Sequence, residues 1–254
     1  MNGHNTLSET PALPEQILAI VQDWQRLEWG SALDTSQIFS FDTTVKTWRD
    51  DCELQGWKQL GEALNKFFGT TFSNGDWRGV MKPEKQRTLR DVCALIATRA
   101  TLPNVRELNV FGRPCRSASS FFALRSCLQV AGVETARLRP STKLDEYLRR
   151  HGQTVVEMVT KLAPGKLPRM KTKSNLGHRL SGWACLMGLL TLVAGEISER
   201  PEWTVTGCLV SAFAFIAITL FSNLLPARVH LEGLETFGDL SRLIARAGQE
   251  ASKK

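Results

Sequence analysis

Apolar positions recur at helical spacing through most of this chain, then close near the C-terminus into two almost unbroken runs. A first helix is predicted from Pro14. Pro sits in its first turn and Glu15 at its positive end, and Ile17, Ile20, Val21, Trp24 and Leu27 share one face. Gly30 ends it. After a loop containing FSFDTTV, Leu54, Trp57, Leu60, Leu64, Phe67 and Phe68 return at the same spacing, with Gly69 placed to stop the helix. The segment TTFSNGDWRG reads as polar turn. Further helices are predicted over about 117–131 and 154–162, and residues 1–13 carry no periodicity.

The C-terminal runs are Leu180 to Gly195, extendable to Ser198, and Trp203 to Ala227, 25 residues without a formal charge. A bilayer core takes about 20 apolar residues of helix to cross. The two runs predict a two-pass transmembrane hairpin, 180–198 and 203–226, turning at Ser198–Glu202. The expected fold class is therefore all-α. A disordered 1–13 precedes helical segments 14–100 and 101–162, a basic juxtamembrane linker 163–179, the hairpin 180–227 and a cytosolic tail 228–254 with an amphipathic helix.

Charge orients that scheme. Lys161, Lys166, Arg169, Lys171, Lys173 and Arg179 fall in a stretch without an acid, whereas the turn between the runs holds Glu196, Glu199 and Glu202 against Arg200. Positive charge stays on the cytoplasmic side, so both termini are expected there and the protein in the plasma or inner membrane. Trp183 and Trp203 are the expected interface aromatics, and the six cations the expected anionic-lipid patch. Residues 1–179 carry a net charge of +8 and mean hydropathy is −0.15, a soluble average with local apolar islands. Six cysteines without a CxxC pair point to a reduced compartment, and Met1–Pro14 lacks the apolar stretch of a signal peptide.

Catalytic signatures are missing from the sequence. The four histidines are scattered, and no G-x-S-x-G, P-loop, G-x-G-x-x-G or H-E-x-x-H occurs. Asp50 and Asp51 read as helix-start carboxylates, and Cys115 between Arg113 and Arg116 has no paired base. A non-enzyme without cofactor or metal is expected. One local pattern recurs: Thr88-Leu-Arg-Asp91, Thr142-Lys-Leu-Asp145 and Thr236-Phe-Gly-Asp239 each fit a helix N-terminus in which Thr and Asp bond reciprocally. Leu95-Ile96-Ala97 is echoed by Leu243-Ile244-Ala245, which raises the alternative of a repeat.

Residues 15–100 run from the helix PEQILAIVQDW through a loop to a second helix ending Leu-x-x-x-Phe-Phe-Gly, then to Thr-x-x-Asp-x-x-x-Leu-Ile. This order resembles the four-helix acyl and peptidyl carrier proteins. The resemblance implies a phosphopantetheine serine opening the second helix, where this chain has Leu54 or Glu53 within Asp51-Cys52-Glu53-Leu54. It therefore implies a carrier-like module without the prosthetic group. The expected function is a membrane-anchored, non-enzymatic helical adaptor that binds a protein partner. The alternatives are a basic domain binding anionic lipid or, more weakly, nucleic acid, and an enzyme of unrecognised type with a deep polar pocket.

Overall fold

The computed structural model describes residues 7–29, 38–110, 112–168, 170–173 and 228–251. The chain divides into two compact units, one of Met1–Lys171 with Leu231–Lys254, the other of Thr172–His230. The first unit contains two helical modules with separate apolar cores.

In the first module, α1 (Pro14–Trp29) buries Ile17, Leu18, Ile20 and Val21, and the Gln16 side chain accepts from Leu13 N–H at its start. Thr44 caps the short α2 (Val45–Asp51), accepting from Thr47 N–H. Gly56 precedes α3 (Trp57–Phe68), which buries Leu60, Leu64 and Phe68 and ends at Gly69 with φ 66°. Only a residue tolerant of left-handed backbone closes a helix this way at little cost. Ser73 and Asp76 form a capping box for α4 (Asn74–Met81), and α5 (Leu89–Ala97) buries Leu89, Val92, Cys93 and Ile96. Gly61 lets α3 and α4 close on one another, because a Cβ there would stand 2.6 Å from Trp77 Cδ1.

The second module holds α6 (Arg116–Val130), α7 (Leu144–Leu162) and α8 (Phe237–Ala251). Its core includes Leu124, Leu128, Leu144, Val155, Val159, Phe237, Leu240 and Ile244. Residues 228–254, read from the sequence as a tail, thus supply a core helix.

The modules repeat one another. Leu89 N–H donates to Thr43 O at 2.9 Å and Val45 N–H to Arg87 O at 2.8 Å; Phe237 N–H donates to Thr142 O at 3.1 Å and Leu144 N–H to Glu235 O at 2.9 Å. Arg90 N–H reaches Phe41 O at 3.0 Å, and Gly238 N–H reaches Pro140 O at 2.7 Å. Even the preceding turn matches: Ser40 N–H donates to Thr43 Oγ1 at 2.8 Å, Arg139 N–H to Thr142 Oγ1 at 2.9 Å. These bonds clasp the start of α2, or of α7, to the start of the module's last helix. The buried quartet Leu89, Val92, Cys93, Ile96 is matched by Phe237, Leu240, Ser241, Ile244. α2 and α3 correspond to one helix, α7, whose backbone breaks at His151 after seven residues. Between α3 and Thr88 the first module carries α4; at the same point in chain order the second is interrupted by residues 172–230.

Of the three Thr-x-x-Asp starts, two are reciprocal caps. Thr88 N–H and Thr236 N–H bond Asp91 and Asp239 Oδ2 at 3.0 and 2.9 Å. Thr142 instead occupies the place of Thr43, with its hydroxyl spent on the Arg139 turn.

Three expectations are corrected. The chain is not all-α: β1 (Leu7–Pro11) pairs antiparallel with β2 (Thr101–Val105), from Leu7 opposite Val105 to Pro11 opposite Thr101. A hairpin joins β3 (Asn109–Val110) to β4 (Arg113–Pro114) around Gly112, φ 76°, and β5 (Met170–Lys173) pairs with β6 (Arg228–Leu231). The transmembrane hairpin finds no support. No helix among the described residues is long and apolar enough to cross a membrane, and residues 180–227 lie outside them. The longest, α7, has only an apolar stripe and carries Asp145, Glu146, Arg149, Arg150, Glu157 and Lys161 around it. The two-pass integral-membrane placement with cytoplasmic termini is corrected with it. Asp50 and Asp51 end α2 rather than start a helix.

Candidate functional site

The first module exposes a basic cleft where α3 begins beside α4. Its geometry starts in the α2–α3 turn. Leu54 N–H donates to Arg49 O at 2.9 Å, Glu53 takes φ 47°, and Leu54 packs half-buried against the first core. The helix therefore opens at Trp57, not at the Asp51-Cys52-Glu53-Leu54 segment. α4 is fixed from its inner side by Trp77 and Met81, 1% and 0% exposed, spaced one turn apart. Its outer side is left with Gly75, Arg78, Gly79 and Lys82. A turn follows in which Gln86 and Arg87 N–H both donate to Pro83 O at 3.0 Å, and this brings Arg87 round to the same cleft.

The cleft is a shallow, open depression of about 770 Å³ lined by Trp57, Gly75, Arg78, Gly79, Lys82 and Arg87 with Pro83. Three cations and no carboxylate line it. Behind them Glu84 pairs with both Arg49 and Lys82, and the Lys82 ammonium holds its carboxyl below the usual range. Arg78 is exposed and has no carboxylate partner among the described residues. Lys58 Nζ lies 5.7 Å from the Trp57 ring centroid.

A second polar arrangement lies inside, where the modules meet. Asp23 on α1 is fully buried, ion-paired with Arg26 of the same helix, and accepts from Gly165 N–H at 2.8 Å. Burial pushes its carboxyl above the ordinary 3.8 despite Arg26 and the backbone donors of Gly165 and Leu167. Gly165, φ 77°, approaches α1 so closely that a Cβ would sit 3.1 Å from Ala19 Cβ. The arrangement satisfies a helix and a loop from different modules.

Of the expected membrane-surface cations, two have described side-chain partners. Lys161 pairs with Glu157 at 2.9 Å and lies 4.4 Å from the Phe67 centroid, tying α7 to the first module. Lys166 pairs with Glu250 of α8. Lys171 and Lys173 belong to β5, and Arg169, Arg179, Trp183 and Trp203 lie outside the residues whose placement is described.

Burial pushes the Cys93 thiol up to about 12 and the Cys127 thiol up to about 11, so both stay protonated at neutral pH. Among the described residues no His, Cys, Asp or Glu cluster is arranged to hold a metal ion. Sequence reasoning missed the cleft because Trp57, Arg78 and Arg87 are distant in the chain. The available signal was a pair of glycines four apart in a segment that also buries a tryptophan. Comparison with protein-family models, with curated proteins and with solved structures gives no match.

Proposed function

We propose that this chain is a non-enzymatic adaptor made of two fused, degenerate carrier-like modules that bind a protein partner. The observation that carries the reading is the repeated backbone clasp. It gives two modules of the same build, each with its own core, joined through Asp23, Gly165 and Lys161. The first module runs helix, loop, short helix, helix, short helix, capped helix, and the carrier-like reading takes α1, α3, α4 and α5 as its four helices. Leu54 and the turn around it offer no hydroxyl for a phosphopantetheine arm. The Cys93 and Cys127 thiols, raised by burial, lie in the two cores, and the Asp23 carboxyl, also raised by burial, lies at the junction.

Cross-linking mass spectrometry on the full chain captured from its native cells tests this. One protein partner should recur, with cross-links on exposed lysines of the first module such as Lys58 and Lys85. A small molecule consumed by the purified chain in an untargeted metabolite screen would refute the adaptor reading. So would a phosphopantetheine mass added by a carrier-protein transferase.

A further inference from the structure

We infer that the cleft between the start of α3 and the outer face of α4 holds an acidic, extended segment of the partner protein. The inference rests on the adaptor reading and names the chemistry it would recognise.

Charge speaks for it first. Arg78, Lys82 and Arg87 line the cleft without a carboxylate, and Glu84, outside the lining, already serves Arg49 and Lys82. Guanidinium forks suit carboxylates arriving from outside.

The glycines speak for it independently. Gly in a helix interior destabilises it by up to about 1 kcal/mol relative to Ala, and α4 has only eight residues. Gly61 on α3 is explained by the Trp77 ring, but no described residue explains Gly75, in the first turn of α4, or Gly79. A Cβ on Gly79 would meet nothing within 4 Å, and one on Gly75 only Ser73 Oγ at 3.5 Å. Both lie in the cleft, one turn apart, flanking Arg78. Two side chains absent where the fold has room for them leave a bare strip of helix against which another backbone can lie.

Lys58 favours a peptide over a nucleic acid. It already sits over the Trp57 ring, which removes one face from base stacking. The remaining ring surface fits an apolar side chain next to the acids.

Fluorescence anisotropy of labelled hexaglutamate, in low salt with the full chain, tests the inference. Binding should weaken at least tenfold in R78E/R87E and equally in Gly79→Leu, which changes no charge. R137E/R139E, exposed cations of the second module, should stay within twofold. Thermal unfolding of each variant confirms that it is folded. Equal losses in both double variants would show a diffuse field and overturn the cleft. An unaffected Gly79→Leu, absence of hexaglutamate binding, or tighter binding of an oligothymidylate that hexaglutamate cannot displace would overturn it as well. A recurring cross-linked partner alongside any of those outcomes would leave the adaptor reading standing.

Discussion

Asp23→Ala removes one carboxylate from the place where the two modules meet, and the cost can be worked from its contacts. Asp23 is completely shielded from solvent, and its loss strands the N–H groups of Gly165 and Leu167. A buried donor left without a partner costs about 1–3 kcal/mol. Arg26, whose side chain is 29% exposed and whose Nε already lacks a hydrogen bond, loses its counter-charge but keeps a route to water. Against these losses stands a gain, since the raised pKa shows that the carboxylate is itself held at a cost. The net expectation is a loss of about 3 kcal/mol, toward the lower end for a broken buried pair, or a Tm lowered by about 6–12 °C for a unit of this size. The pH dependence has a definite sign. Above 3.8 the unfolded chain gives up the Asp23 proton before the folded one does, so this group's contribution falls as pH rises from 3.8 to the raised folded value and then levels. Calorimetry of wild type, Asp23→Ala and Asp23→Asn from pH 4 to 8 checks both points. A loss below 1 kcal/mol, or the same pH slope in Asp23→Asn as in wild type, would refute the buried junction.

Gly61→Ala should destabilise by about 1–3 kcal/mol through overpacking against Trp77, whereas Gly79→Ala should be neutral or slightly stabilising; urea midpoints compare them. Asp239 is held at about 2 by Thr236 and Arg242. Its contribution is present above 3.8 and lost as pH falls through 2, so Thr236→Ala should flatten the acid limb of the stability curve. Cys93 and Cys127 should resist a thiol-specific reagent at pH 8 until denaturant is added; native labelling as fast as in the unfolded chain would contradict their burial. Replacing residues 174–227 by a short glycine–serine linker should leave the first unit folded, since β5 and β6 pair at the two chain crossings; loss of its cooperative melting would count against the division.

Much of the helical plan was legible in the sequence because its signals are local. Pro14 and Gly69 bound α1 and α3 as expected, and the caps at Thr88 and Thr236 were readable from two residue types at fixed spacing. α4 was hidden because its capping and glycine residues look like turn chemistry, while only Trp77 and Met81 speak for burial. The ribbons escaped because each strand is short and β1 and β2 both contain proline. Thr142 shows the limit of motif reading: its sequence matches the caps, but its hydroxyl accepts from Arg139 N–H and its carbonyl accepts from Phe237 N–H, far along the chain. The likeness of the modules was visible only as Thr-x-x-Asp and Leu-Ile-Ala echoes, since its substance is backbone hydrogen bonding. The cleft joins residues that only the α3–α4 turn brings together.

The clasp has a consequence for how such a chain ages. Main-chain atoms close it, so side chains beside the Thr and Asp caps are free to differ: Thr44 stands opposite Thr88 where Lys143 stands opposite Thr236, and Cys93 fills the slot of Ser241. Two modules built in this manner can differ widely in sequence while the peptide lattice that matches them stays in place.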